Sequence, residues 1–320
     1  MLKVVIIGYG EMFTNLIAAA LDANCEIVGV LRKDTIKYHP FIKKFRDIFN
    51  PSYEYSYIKS YNLPEINAKS VNSKAFRKKL LKLNPDIILV GSWGEKFQKE
   101  TYNIPKIATI NAHPSLLPKY RGPNPYYWVI KNQENVSGIT FHLIDEKFDD
   151  GAILAQEEVK IFSSDTGESL KKRTVLTARG VACDLLNTLN EDLIIPLPQI
   201  EENATYYSHP EEFELDFNKT AEENLATIRA IHPWNKAYFF HNEVAISVSL
   251  SSTIIEENKT TYNIAGTIVD IDIKSNSVSI LCSDNKILKA QKVELFNKFD
   301  KIFTKNYIKR NIKIGDIIEN

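Results

Sequence analysis

Short apolar runs alternate with helical patterns through the first half of the chain. The strand-like runs lie at residues 4–7, 27–31, 86–90 and 107–110. They are rich in Val, Ile and Leu without alternation, which is typical of strands buried on both faces. Helical patterns follow at residues 13–21 and 75–82. Strands that alternate with helices predict an α/β domain with a doubly wound parallel sheet. Because such sheets bind ligands at the carboxyl ends of their strands, we expect the loops there to form a site.

The pattern changes after a long helix predicted over residues 166–189. Residues 194–212 contain three prolines and several acids without a helical period. We place a linker at residues 201–215, between a first domain at 1–200 and a second at 216–320. A helix is predicted over residues 220–231. The later strand-like runs lie at residues 245–250, 266–273, 277–282 and 287–293. Short strands at this spacing predict a small β-barrel.

Composition adds few constraints. The 320 residues are 44% hydrophobic and 25% charged, with 40 basic and 40 acidic residues, so net charge identifies no partner. Six basic residues lie between Arg32 and Arg46, and nine lie between Lys286 and Lys313. Each run is interpreted first as a solvated face, and alternatively as a site for phosphate or RNA.

The remaining composition favours a cytoplasmic protein. Three scattered cysteines argue against a disulfide framework and a zinc site, and we predict no metal. No apolar run approaches the ~20 residues of a membrane span, so we expect no membrane partner, and no protein partner is predicted. Gly8 and Gly10 suggest a dinucleotide turn, but Phe13 replaces the third glycine and Arg32 stands where an acid is expected. A structural turn is the better interpretation.

Three kinds of polar residue around the fourth strand carry the candidate chemistry. Asn111 and His113 have the i, i+2 spacing that places side chains on one face of an extended segment. Asp149 and Asp150 follow further along, just before Gly151, and either can be a turn residue. An amide donor, a switchable base and a carboxylate that orients it can hold an oxyanion and move a proton. The structural alternatives are an Asx turn and an ordinary polar histidine.

These residues also stand in motifs that resemble a known family. The motifs are Asn111-Ala-His113, Ser115-Leu-Leu-Pro118, Tyr120-Arg-Gly122, Ser137-Gly-Ile-Thr140 and Asp149-Asp-Gly151. Together they resemble the formyltransferases that use N10-formyltetrahydrofolate. The layout is closest to methionyl-tRNA formyltransferases, whose second domain is OB-like, and it is similar as well to sugar-nucleotide N-formyltransferases. The resemblance therefore implies a Rossmann-like parallel-sheet formyltransferase domain followed by a small OB-like β-barrel domain.

The resemblance also implies roles for individual residues. Asn111 would donate to the formyl oxygen, His113 would move the proton, and Asp149, rather than Asp150, would orient His113. The residues implied to bind the folate are Ser115, Leu116, Leu117 and Pro118, with Trp93 as a further candidate. Ordinary loop packing is the alternative for the loop residues, and a core position is the alternative for Trp93. His142 receives no role.

The acceptor remains open between two amines. Methionyl-tRNA is the leading acceptor, and a nucleotide-linked amino sugar is the alternative, favoured by Tyr126, Tyr127 and Trp128. Two other classes are a hydrolase that releases formate from the same cosubstrate and a folate- or RNA-binding module without catalysis. The Asn, His and Asp residues argue against the binding module.

Overall fold

The computed structural model describes residues 1–33, 39–189, 195–211, 213–250, 253–297 and 301–318. These residues form two compact units. Unit 1 comprises Met1–Pro125, Val136–Lys160 and Lys171–Ser208. Unit 2 comprises Tyr126–Asn135, Ile161–Leu170 and His209–Asn320. In the part of the chain that is described, no helix is both long enough and apolar enough to cross a bilayer.

Unit 1 is built on one six-stranded sheet. Its strands are β1 (Lys3–Gly8), β2 (Glu26–Arg32), β3 (Ile87–Gly91), β4 (Ala108–His113), β5 (Val136–Leu143) and β6 (Ile153–Lys160). They are ordered β2-β1-β3-β4-β5-β6. The first four are parallel, as predicted, and β5 and β6 join antiparallel. The sheet is therefore mixed rather than wholly parallel. Strand β6 at the edge has exposed positions that a buried parallel strand does not tolerate.

Helices cover both faces of this sheet. The helices up to residue 189 are α1 (Gly10–Asp22), α2 (Pro40–Phe49), α3 (Tyr53–Ser60), α4 (Lys74–Leu83), α5 (Lys99–Tyr102), α6 (Pro125–Lys131) and α7 (Gly167–Leu189). Apolar residues of α1 and α7 share one core cluster with the strands, and Phe76 and Leu80 of α4 share another. The helices predicted at 13–21, 75–82 and 166–189 are confirmed. Because β1, β3 and β4 are parallel neighbours, their carboxyl ends lie at one edge of the sheet.

Helix α2 has its polar face toward the protein and its apolar face toward solvent. Phe41, Ile42, Phe45, Ile48 and Phe49 are each 51–74% exposed. Phe41, Phe45, Ile48 and Phe49 follow the i, i+4, i+7, i+8 spacing that normally faces a core, and Ile42 lies beside Phe41. The ordinary amphipathic arrangement is therefore reversed on this helix.

A buried group of charges fixes the polar face of α2. Arg32, only 1% exposed, binds Asp47 at 2.6 Å and Glu65 at 2.6 Å. Lys43 approaches Asp47 at 3.2 Å and Glu65 at 3.0 Å. Two of the six basic residues counted in this run are therefore used internally, and the interpretation of the run as a plain solvated face is wrong for them. Residues 34–38 of the same run lie outside the described residues.

Unit 2 contains an antiparallel β domain, as predicted for the end of the chain. Its later helices are α8 (Ala221–Ile231) and α9 (Thr304–Asn311). Its strands are β7 (Ala237–His241), β8 (Val244–Val248), β9 (Thr253–Glu257), β10 (Ile268–Asp272), β11 (Ser277–Leu281), β12 (Lys286–Ala290) and β13 (Glu294–Leu295). They form sheets ordered β10-β11-β12-β9 and β13-β8-β7. Thr220 and Glu223 form a capping box that starts α8. A core cluster that includes Phe217, Phe239 and Ile280 holds the unit together.

Candidate active site

The three predicted polar residues meet at the carboxyl end of β4. Asn111 and His113 are in the last three residues of β4, and Asp149 lies in the loop between β5 and β6. Asp149 Oδ1 is 3.4 Å from Asn111 Nδ2 and 3.4 Å from His113 Nδ1. One carboxylate oxygen therefore contacts both an amide donor and an imidazole, all within unit 1.

His113 is buried between two hydrogen-bond acceptors. Its Nδ1 faces Asp149, and its Nε2 is 2.8 Å from the carbonyl oxygen of Tyr120. A neutral imidazole carries one N–H and can satisfy only one of these acceptors, whereas the cation satisfies both. Burial lowers the pKa of His113, but the charge of Asp149 and the bonds to Asp149 and Tyr120 outweigh it, so the pKa is raised. The site favours the imidazolium form.

Asp149 is held in an unusual backbone conformation. Its φ of 55° lies in the left-handed region, which Asp adopts more readily than most residues. The N–H of Gly122 donates to Asp149 Oδ2 at 2.9 Å. A Cβ at Gly122 would overlap the carbonyl oxygen of Tyr207, which explains glycine in the Tyr120-Arg-Gly122 motif. Burial raises the pKa of Asp149, but the charge of His113 and the hydrogen bond with His113 hold it well below its usual range.

The neighbouring carboxylate faces a different partner. Asp150 Oδ1 lies 2.7 Å from Arg121 Nη2, and Arg121 is 7% exposed. Since Asp150 is committed to this ion pair, the geometry supports Asp149 as the carboxylate that orients His113. The catalytic roles themselves remain predictions.

His142 is a member of this cluster that the sequence analysis did not assign. It pairs with Asn111 across β4 and β5 and is 2% exposed. Its Nδ1 is 2.9 Å from the carbonyl oxygen of Leu143, and its Nε2 is 3.1 Å from Asn111 Nδ2. Leu143 can only accept, so the hydrogen-bond partners assign the proton to Nδ1 and leave Nε2 to accept from Asn111. His142 comes next to Asn111 through the pairing of β4 with β5, and the sequence alone does not give the register of that pairing.

The loop predicted to bind folate is fixed by β5 and β6. The Ser115 hydroxyl donates to the carbonyl oxygen of Lys119 at 2.8 Å and is fully buried. Thr140 Oγ1 donates to the carbonyl oxygen of Ser115 at 2.6 Å and accepts from Leu117 N at 3.2 Å. Gln156 Nε2 donates to the carbonyl oxygen of Leu117 at 3.0 Å. These bonds give the loop one shape, while the role of its residues in folate binding stays a prediction.

The other folate candidates differ in exposure. Leu117 is buried, whereas Leu116 and Pro118 are partly exposed. A Cβ at Gly138 would overlap Leu116, so the glycine of the Ser137-Gly-Ile-Thr140 motif lets the loop pack on β5. Trp93 packs beside the cluster that contains α4, and its Nε1 finds no hydrogen-bond partner among the described residues. These positions allow a folate role and do not test it.

Residues 195–207 pack on the site, which the sequence did not reveal. Leu197 pairs with Ile153 in an antiparallel bridge, and Tyr206 pairs with Arg121 in a parallel one. The N–H of Tyr120 donates to Thr205 Oγ1 at 2.8 Å. The predicted linker begins at residue 201, yet these contacts lie inside unit 1. The domain limits stated from the sequence remain a prediction.

A surface cavity of about 420 Å³ lies beside Asp150. Its lining includes cations and aromatic rings, namely Lys96, Arg121, Lys147, Phe148 and Tyr206. The carboxylates of Asp150 and Glu201 also line the cavity and pair with Arg121, so the charge of the lining is mixed. No group of three His, Cys, Asp or Glu side chains able to hold a metal occurs in the described ranges.

An α/β domain with an amide donor, an imidazolium and a carboxylate at the end of a central strand is equipped for transfer at a carbonyl carbon. The formyl transferase family model matches residues 2–181, and the formyl transferase C-terminal domain model matches residues 208–300. The chain belongs to the formyl transferase family, and it is a formyltransferase. The resemblance seen in the motifs is thereby confirmed.

Known proteins agree with this assignment. A methionyl-tRNA formyltransferase of Ehrlichia ruminantium (strain Welgevonden) is 31% identical over 74% of this chain and 75% of its own. A methionyl-tRNA formyltransferase of Clostridioides difficile (strain 630) is 29% identical over 97% of each chain. The N-formyltransferase of Helicobacter canadensis, solved with folinic acid and dTDP-3-aminofucose, has a TM-score of 0.65. It is 19% identical, with 91% of this chain and 99% of that one covered, and shows a shared fold.

Proposed function

We propose that the chain transfers the formyl group of N10-formyltetrahydrofolate to the α-amino group of methionyl-tRNA. The observation that carries the proposal is the match to a methionyl-tRNA formyltransferase over 97% of both chains. This match includes the antiparallel β domain as well as the catalytic domain. Formyl transfer itself rests on the family and on the arrangement of Asn111, His113 and Asp149.

The proposed chemistry passes through a tetrahedral intermediate. The acceptor amine attacks the formyl carbon, a C–N bond forms, and the formyl oxygen becomes an oxyanion. Asn111 Nδ2 has one hydrogen directed at His142 at 3.1 Å and one at Asp149 at 3.4 Å. The longer bond is the weaker, so that hydrogen is the one available to the oxyanion. The C–N10 bond then breaks, and N10 takes up the proton released by the amine.

His113 fits the proton transfer and the charge stabilisation. As an imidazolium it stabilises the oxyanion. It can give the Nε2 proton to N10 as that nitrogen leaves, and the hydrogen bond from Nε2 to the carbonyl oxygen of Tyr120 is then exchanged for the one to N10. It then recovers a proton from the attacking amine, so that it returns to its starting state. Asp149 keeps the cation favourable in a buried place, where an isolated charge would be costly.

Basic residues on α9 support a nucleic-acid acceptor. Lys305, Lys309 and Arg310 are exposed on this helix, and Lys313 is exposed just after it. Exposed cations of this kind bind phosphates and make affinity fall with salt. The run at 286–313 is thus partly solvent-facing, in contrast to Arg32 and Lys43.

A nucleotide-linked amino sugar is the second candidate acceptor. It is favoured by the fold shared with a protein solved with dTDP-3-aminofucose. One of the residues that suggested it is less suited to this role, because Tyr127 is 1% exposed and packs edge-on against Phe213 within unit 2.

The deciding experiment offers both acceptors to one enzyme preparation. Formyl transfer from N10-formyltetrahydrofolate is measured to methionyl-tRNA and to dTDP- or UDP-linked amino sugars, with His113→Ala as the blank. We expect turnover with methionyl-tRNA that is lost in the variant and that weakens as salt rises. Turnover with an amino sugar alone would refute methionyl-tRNA as the acceptor. Formate release at the same rate without any amine would indicate hydrolysis instead.

A further inference from the structure

The position of Asp149 depends on more than its own side-chain contacts. Its carboxylate reaches His113 at 3.4 Å, which is near the limit of a useful contact. Its backbone has a φ of 55° and lies in a loop between two antiparallel strands. A small movement of this loop would therefore separate the carboxylate from the imidazole. Something must hold the main chain at this point.

Gln199 provides that hold. Its Nε2 donates to the carbonyl oxygen of Asp149 at 2.9 Å and to that of Gly151 at 2.8 Å. Its Oε1 accepts from Arg121 at 3.2 Å from Nε and 2.9 Å from Nη2. The amide thus uses two donors and two acceptor positions, which is its full capacity. Arginine only donates and carbonyl oxygens only accept, so the amide has one possible orientation.

Arg121 connects this amide to both sides of the loop. Besides Gln199, it pairs with Asp150 at 2.7 Å and with Glu201 at 3.1 Å. Gln199 is half-buried although residues 195–198 and 200–203 are all exposed. One side chain of this segment is therefore turned inward, and it is the one that reaches the loop of Asp149.

We propose that Gln199 is a positioning residue that fixes Asp149 against His113 and so sets the protonation of the active-site histidine. The two family models end at residue 181 and begin at residue 208, so Gln199 lies in the stretch that neither covers. Gln199 is thereby the residue of this connecting segment whose side chain supports the active site. This inference rests on the proposed roles of His113 and Asp149 and not on the identity of the acceptor.

The test is an NMR titration of the His113 ring in the enzyme without substrates. His113→Ala assigns the signal, Asp149→Asn gives the full effect of losing the carboxylate charge, and Leu197→Ala is the matched control. Leu197 lies two residues away and contacts the same region through its backbone. In Gln199→Ala we expect the pKa of His113 to move in the direction seen in Asp149→Asn, while Leu197→Ala leaves it unchanged.

Kinetics give an independent readout with whichever amine is accepted. Gln199→Ala is expected to lower kcat about 10- to 100-fold, the loss typical when a group that orients a metal-binding side chain is removed, with little change in the KM for the folate. Gln199→Glu keeps the size of the side chain but loses both donors, so it should show the same loss of kcat as Gln199→Ala. It serves as the test variant if Gln199→Ala folds poorly. An unchanged His113 pKa in a folded Gln199 variant would overturn the proposal, as would an equal shift in Leu197→Ala. Failure to find the acceptor would leave the titration result intact.

Discussion

The bond between His142 and Asn111 makes a quantitative prediction about catalysis. Asn111 is proposed to stabilise the oxyanion, and loss of such a donor typically costs about 10²–10³ in kcat. His142 does not reach the substrate in this scheme. It accepts one amide hydrogen at 3.1 Å and so fixes which way the Asn111 amide faces. Truncating His142 should therefore reduce the stabilisation of the oxyanion by Asn111, and it should not lower kcat in any other way.

The structure sets the size of the effect. A neutral hydrogen bond contributes about 0.5–1.5 kcal/mol net, and about 1.4 kcal/mol corresponds to tenfold in rate. We expect His142→Ala to lower kcat about 2- to 12-fold when Asn111 is present. In an Asn111→Ala background, the same change should cost nothing further. His142→Gln keeps an acceptor oxygen and should recover part of the rate.

The assay is a double-mutant cycle on kcat, with formyl transfer to methionyl-tRNA at saturating donor. Thermal denaturation of each variant serves as the control for folding at the assay temperature. His142 also approaches Asp149 at 3.5 Å, so the cycle is repeated with Asp149→Asn. An equal loss from His142→Ala in the presence and absence of Asn111 would refute the reasoning. A loss that disappears only with Asp149→Asn would show that His142 acts through the carboxylate.

Four further predictions concern protonation and stability. Because Asp149 raises the pKa of His113, Asp149→Asn should shift the midpoint of the His113 NMR titration to lower pH. An unchanged midpoint would show that Asp149 does not control the protonation of His113. The folded-state pKa of Asp149 is depressed, so its stabilising contribution is present above its unfolded pKa near 4 and fades as pH falls below it. Urea unfolding across pH 3–6 should show a smaller loss in Asp149→Asn. Arg32→Met should lower unfolding free energy by about 3–5 kcal/mol by leaving two buried carboxylates short of a partner, and an unchanged urea midpoint would contradict this. Thr220→Ala should cost about 1 kcal/mol through the lost cap of α8, seen as a lower Tm, with Thr220→Ser as the conservative control.

Much of the catalytic geometry followed from local sequence. The spacing of Asn111 and His113 predicted that both lie at the end of one strand, whereas the choice of Asp149 as their carboxylate came from the family resemblance. The spacing signal is local, because Asn111 and His113 belong to a strand with a clear apolar pattern. The helices at 13–21, 75–82 and 166–189 were predicted for the same reason, since their apolar spacing matches a helix that packs on a sheet.

The parts that were missed depend on contacts between distant residues. Gln199 is 50 residues from Asp149 in sequence, and nothing near it suggests a turn inward. His142 acquired its place only through the register of β4 with β5. The antiparallel direction of β5 and β6 likewise depends on the return path of the chain, which apolar runs do not encode.

Helix α2 was hidden by a conflict of signals. Its lysines and arginines suggested a basic surface, whereas its Phe and Ile residues have helical spacing. The conflict is resolved by Glu65, which is 33 residues from Arg32 and balances the charges beneath the helix. A partner so far away could not be inferred from the run itself.

In α2 the residues that attach the helix to the protein and the residues that face solvent are on opposite sides. Its attachment is ionic and lies on one side, while Phe41, Phe45 and Phe49 on the other side contribute little to the core. Substitutions at exposed positions of this kind usually change stability by less than about 0.5 kcal/mol. Evolution could therefore rewrite this outer face almost without cost to the fold. Among descendants of one ancestral enzyme, it is a place where preferences for different molecules could diverge while the catalytic centre stayed the same.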